Sequence, residues 1–165
     1  MVGVLLHVED SRVVGILPSM LESVRLYAKS FGVTSIHLID GTEDGYFGGI
    51  GDAEIDCQRF SSLSAWWDAV GSTADAVVGL ETQNTIEAAG ATAHNIMEFQ
   101  HPENAWYVFG PSMGISHEWI DSDKEWVYLP TLVQVGAFNS REALTLTLAH
   151  RFFMLVLGSN PWQAP

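Results

Sequence analysis

Apolar positions along this chain fall into short dense runs, separated by stretches in which they recur at helical spacing. Val2 to His7 alternates little and reads as a strand buried on both faces. Glu9 to Ile16 is a connection. Pro18 or Ser19 then suits a helix N-terminus, with Glu22 in the first turn, where the helix dipole favours an acid. Met20, Val24, Tyr27, Ala28 and Phe31 mark one face of that helix, and Gly32 ends it. Ser35 to Ile39 is the next strand, and Asp40 to Asp52, rich in glycine and acids, reads as a long mobile loop. Ser61 or Ser62 can cap a helix running through Val70, and Ala76 to Leu80 is a short buried strand. Thr82 to Ala93 fits either a helix or a loop. Strands are expected at Ala105 to Phe109 and Trp126 to Leu129. Ser140 caps a last helix to about Leu157, stopped by Gly158-Ser-Asn-Pro.

Strands alternating with helices predict an α/β fold, a mainly parallel sheet with helices on both faces. No repeat, low-complexity tract or dividing linker interrupts the 165 residues, so residues 1–165 are expected to form a single domain. Apolar residues at 47% and charged residues at 16% describe a globular chain. No apolar run reaches the roughly 20 residues of a membrane span, and the first residues lack the basic flank of a signal peptide. A lone cysteine, Cys57, excludes an internal disulfide framework and fits a reducing, cytoplasmic compartment. The histidines are scattered and form no metal set.

The chemistry concentrates in Phe99-Gln-His-Pro-Glu-Asn-Ala-Trp-Tyr-Val-Phe-Gly-Pro-Ser-Met-Gly-Ile-Ser116. Here a buried strand runs into a Gly110-Pro111 turn with a second glycine at Gly114. Strand ends of this kind receive ligands in α/β proteins, because backbone groups are open and no Cβ blocks approach. A second strand end follows at Glu125-Trp-Val-Tyr-Leu-Pro-Thr131, and a third loop, Gly136-Ala-Phe-Asn-Ser140, opens the last helix. Together they suggest one composite pocket. The plainer reading of Gly110, Pro111 and Gly114 is a tight turn alone.

In their order and spacing these segments resemble the SPOUT (α/β-knot) methyltransferases, and most of all the SpoU-type RNA ribose 2′-O-methyltransferases. Ser23-Val-Arg-Leu-Tyr-Ala-Lys-Ser-Phe-Gly-Val33 looks like that branch's first motif. Phe109-Gly-Pro-Ser-Met-Gly-Ile-Ser116 looks like the second. Val127-Tyr-Leu-Pro130 with Phe138-Asn-Ser-Arg-Glu-Ala-Leu-Thr-Leu-Thr-Leu-Ala149 looks like the third. The resemblance covers roughly residues 2 to 157. It implies a C-terminal trefoil knot, S-adenosylmethionine in the knot pocket, a homodimer that completes the active site, and tRNA or rRNA as the methyl acceptor. Residue by residue, it implies a cofactor site around Leu80, Phe109, Gly110, Pro111, Gly114, Leu129, Pro130, Phe138 and Asn139. It makes Arg25, Asn139 and Ser140 the catalytic candidates.

Two departures stand out. Ser112 replaces the acid of the second motif, and Pro18-Ser19-Met20 stands where the first motif has an asparagine. Each candidate also has a structural role open to it. Arg25 can pair with Glu22 at i−3, Asn139 or Ser140 can cap the last helix, and Arg141 can be a solvated first-turn residue. Trp66-Trp67 reads as core plus interface, and Phe152 to Leu157, apolar nearly all round, as a buried helix end at the dimer interface. Seven basic against twenty acidic residues, a net charge of −13, disfavours unassisted RNA binding, which normally rests on phosphate contacts. Two other functions therefore stay open: a SPOUT-like dimeric interaction protein without transfer activity, and a methyltransferase needing a basic partner or substrate.

Overall fold

The computed structural model describes residues 1–8, 17–40, 55–111, 114–121, 123–131, 138, 140–156 and 158, with only the backbone described at 8, 17–23, 40 and 140. In chain order these residues form β1 (Val2–Val8), α1 (Leu17–Ser30), β2 (Ser35–Asp40), β3 (Asp56–Phe60) and α2 (Leu63–Ala69). Next come β4 (Val77–Leu80), α3 (Gln83–Ala88), β5 (Ala93–Asn95), β6 (Ala105–Phe109), β7 (Glu125–Tyr128) and α4 (Ser140–Val156). The strands make one seven-stranded sheet in the order β3-β2-β1-β6-β4-β7-β5. Every neighbouring pair is parallel.

The expected sheet with helices on both faces is present, and the pleat explains how. Val4, Leu6, Ile36, Leu38, Val78, Leu80, Tyr107, Phe109 and Val127 point to one face, where Val24 and Ala28 of α1 and Leu144 and Leu148 of α4 cover them. Leu5, Ile39, Val77, Trp106, Val108 and Trp126 point to the other, under Leu63 and Trp66 of α2 and Ile86 of α3. On this second face two glycines lie in register with two indoles: Gly3 beside Trp106, and Gly79 beside Trp126. A Cβ at either glycine would run into the neighbouring ring, so the glycines let the indoles lie against the sheet.

Local signals set the helix ends. The Ser62 side chain accepts from the Ala65 N–H at 3.1 Å and caps α2. Thr82 caps α3 in the same way, which resolves the ambiguous stretch as a short helix, a turn through Gly90 at φ 83°, and β5. Gly32, at φ 75°, follows α1 as expected.

Sequence reading misses β3 and β5, and both are edge strands. In β3, Asp-Cys-Gln-Arg-Phe is largely exposed and lacks an apolar run; β5 is only three residues long. Towards the end of α4, Phe152, Phe153 and Met154 are half-buried in the single chain, and Leu155 and Val156 are 40% and 60% exposed. The loop expected over Asp40 to Asp52 lies outside the described residues apart from Asp40 itself, which ends β2.

Candidate active site at the strand ends

The strand order reverses between β1 and β6. β1 leads outward through β2 to β3, whereas the strands beyond β6 belong to the later part of the chain. In parallel α/β sheets, ligands bind outside the carboxyl ends of strands at such a point. Here β6, β4 and β7 are adjacent, with Leu80 in register with Phe109 on one side and Val127 on the other. Three neighbouring strand ends thus open within roughly 10 Å of one another. They carry Phe109-Gly110-Pro111, Leu80-Glu81 and Tyr128-Leu129-Pro130.

The chain leaving β6 makes a tight turn. The Gly114 N–H donates to the Pro111 carbonyl at 2.9 Å, and Gly114 sits at φ 86°, a conformation natural only to glycine. Gly110 is also required: a Cβ there would stand 2.5 Å from Ile115 Cγ1 and 3.1 Å from the Ile115 nitrogen. The turn then passes over the end of β4. The Ile115 N–H donates to Glu81 Oε2 at 2.7 Å, and the Thr82 N–H donates to Glu81 Oε1 at 2.9 Å. One half-buried carboxylate therefore ties the turn after β6 to the entry of α3. Sequence reading stopped at Leu80 and passed over Glu81. The available signal was an acid placed directly at the end of a buried strand.

The fold brings Leu80, Phe109, Gly110, Pro111, Gly114, Leu129 and Pro130 to these ends. Leu80 and Phe109 are 7% and 1% exposed, and their side chains belong to the core. What they offer a ligand is backbone. Leu129 packs partly against the same core, Pro130 is exposed, and Phe138 is 38% exposed just before α4. Ser140 is the first residue of α4, Arg141 is exposed beside it, and Ser112 and Asn139 lie outside the described residues. Arg25 is half-buried on α1, the crossover from β1 to β2 that packs against α4. It lies roughly 12 Å along that helix from the end adjoining the strand termini, not on the turn.

A second polar cluster lies inside the core. His101 Nδ1 is 2.8 Å from the Tyr107 hydroxyl, and His101 Nε2 is 2.8 Å from His150 Nδ1. Arg151 donates from Nη2 to the Glu103 carbonyl at 2.7 Å. Burial first, then the charges of His150 and Arg151, holds the His101 pKa down to about 3, so the ring is neutral. Burial likewise lowers His150 and raises Tyr107. These histidines look scattered in the sequence; β6 and α4 bring His101 and His150 together.

No family model matches the chain, and no curated protein matches it in sequence. Solved structures match it over nearly its whole length. One is a structure of 2-OH methylation of C/U34 on tRNA, 19% identical, covering 96% of this chain and 98% of the other at a TM-score of 0.69. Another is the SpoU methyltransferase AviRb from Streptomyces viridochromogenes in complex with AdoMet, 17% identical, covering 94% of this chain and 61% of the other at a TM-score of 0.70. A third is an RNA 2′-O ribose methyltransferase, 17% identical, covering 93% and 56% at a TM-score of 0.66. The chain thus spans nearly all of the first and little more than half of the other two. With its parallel sheet and ligand-type turn at the strand ends, the chain has the α/β fold of the SpoU-type RNA methyltransferases.

Proposed function

We propose that this protein is an S-adenosylmethionine-dependent RNA methyltransferase acting on a ribose 2′-hydroxyl of tRNA or rRNA. The observation that carries the reading is the glycine turn leaving β6, tied through Ile115 to Glu81 at the end of β4, in a fold shared with such enzymes. The residues fit the cofactor. Gly110 and Gly114 let the turn close against Ile115 and Glu81 with no side chain of their own, so the turn presents backbone, and Leu129 and Pro130 stand beside it as apolar neighbours. Leu80, Phe109, Gly110, Pro111, Gly114, Leu129, Pro130, Phe138 and Asn139 would hold it, largely through backbone. When bound, the cofactor supplies an electrophilic methyl group on a sulfonium.

The chain's own residues orient the acceptor. Arg25 stays protonated, so it does not serve as the base. Its guanidinium grips the phosphate beside the acceptor ribose and stabilises charge developing on the 2′-oxygen. Asn139 and Ser140 supply hydrogen-bonding groups at the start of α4. In the homodimer that the resemblance implies, Arg25 on α1 would serve the site of the second copy. Exposed apolar residues on the two packed helices support that interface: Leu26 and Tyr27 on α1 are 60% and 37% exposed, and Leu155 and Val156 on α4 are 40% and 60% exposed. The C-terminal knot belongs to the same reading. So does a cytoplasmic setting; no helix among the described residues is long and apolar enough to cross a membrane.

The test is transfer of labelled methyl from S-adenosylmethionine to bulk tRNA and rRNA, with the product assayed for resistance to alkaline cleavage. Arg25→Ala is expected to lower turnover by about a hundredfold or more while leaving cofactor affinity unchanged. Absence of transfer to any RNA, with cell extract as well as without it, would remove the reading. The charge of −13 favours one refinement, in which a basic partner subunit delivers the RNA. Transfer that appears only after adding cell extract would support that refinement.

A further inference from the structure

We propose that Glu81 is a positioning residue for the methyl donor: its carboxylate fixes the Gly110 to Ile115 turn in the shape that receives the cofactor. The proposal rests on the methyltransferase reading and adds a residue that the resembled motifs do not supply. Both carboxylate oxygens are committed, Oε2 to the Ile115 N–H at 2.7 Å and Oε1 to the Thr82 N–H at 2.9 Å. The first of these bonds links positions 34 apart in sequence and ties the end of β4 to the turn leaving β6. Bonds from N–H groups to an ionised carboxylate are the stronger kind and directional. The Gly114 N–H closes the turn on the Pro111 carbonyl at 2.9 Å.

Gly114 completes the fit from the other side. A Cβ there would stand 2.7 Å from Glu81 Oε2, so glycine is needed for the carboxylate to reach the Ile115 amide. The turn itself carries Ser112 where the second motif of the resembled family has an acid. In this chain the carboxylate at the turn comes from the neighbouring strand. Glu81 needs no contact with the reacting atoms; it acts through the backbone that would.

Two readouts test this, one of which needs no catalysis. In the protein without cofactor, amide exchange at Ile115 is expected to quicken in Glu81→Ala. Binding of S-adenosylhomocysteine, measured by titration calorimetry, is expected to weaken about tenfold or more in Glu81→Ala. Glu81→Gln keeps one carbonyl acceptor and is expected to recover part of both effects. It also serves should the alanine variant fail to fold. A parent that binds while both variants bind equally well, or an Ile115 amide that stays protected in Glu81→Ala, would overturn the inference and leave the methyltransferase reading standing. A folded parent that binds neither S-adenosylmethionine nor S-adenosylhomocysteine would overturn both.

Discussion

Two polar clusters in this molecule invite comparison, because they use similar groups to opposite ends. At the strand ends, the Glu81 carboxylate is half-buried and its bonds terminate on backbone N–H groups of a glycine turn. Inside the core, Tyr107, His101 and His150 are at most 5% exposed and bond to one another. The first arrangement shapes half-buried backbone at the strand ends, where a ligand can meet it. The second is a closed chain of side chains between β6 and α4, and it specifies how that helix seats on the sheet. Perturbed histidines in a pocket would suggest catalysis; here their enclosure assigns them to the frame.

The comparison breaks most sharply at His101. Removing its ring in His101→Ala takes one partner from the Tyr107 hydroxyl, which keeps Arg151, and one from His150 Nδ1, and leaves a void, for a loss of about 3 kcal/mol. Urea unfolding should show this, with S-adenosylhomocysteine affinity unchanged in buffer. If affinity fell with stability, the two clusters would not be separable.

Acid is the next lever. The folded His101 pKa is about 3, while in the unfolded chain it returns to about 6.5. Between these values the unfolded chain binds the extra proton. Stability is therefore full above about pH 6.5 and falls as pH drops, by up to about 1.4 kcal/mol per pH unit for this group. His150 and His37, lowered mainly by burial, act in the same direction. Thermal midpoints from pH 7 to pH 5 should decline steeply in the parent and less steeply in His101→Ala.

At the open cluster the costs to folding are smaller and the cost to binding larger. Gly114→Ala puts a side chain at φ 86° and against Glu81. The expected destabilisation is about 1 to 2 kcal/mol, together with a loss of cofactor affinity that calorimetry would register. Smallest is Lys124→Met. The Lys124 ammonium bonds Asp121 at 2.7 Å and lies 4.2 and 4.4 Å from the Trp67 and Trp119 ring centres. Its removal should cost about 1 kcal/mol or less and leave cofactor binding untouched.

What the sequence disclosed follows the same division. Central strands and their adjoining turn were legible because burial on both faces writes an apolar run, and because Gly110, Pro111 and Gly114 are turn chemistry in plain view. Edge strands were not: Asp56–Phe60 is half solvated and carries no pattern. Nor was the tie from Glu81 to Ile115, or the pairing of His101 with His150, since contacts between distant positions leave no periodicity. At the end of α4 the apolar run of Phe152 to Val156 writes burial into the sequence, and the single chain leaves Leu155 and Val156 exposed. Arg25 could be named from its motif and placed on a helix by spacing; the fold adds that this helix is the crossover from β1 to β2, packed against α4.

The central claim is that the joined ends of β6, β4 and β7 hold a methyl donor. Titration calorimetry of the purified protein with S-adenosylmethionine, and with S-adenosylhomocysteine alongside, tests it most directly. The account predicts micromolar binding at one site per chain, weakened by Gly114→Ala and unaffected by His101→Ala. A folded protein that binds neither compound would contradict it, and the turn over Glu81 would then be a structural closure of the strand ends.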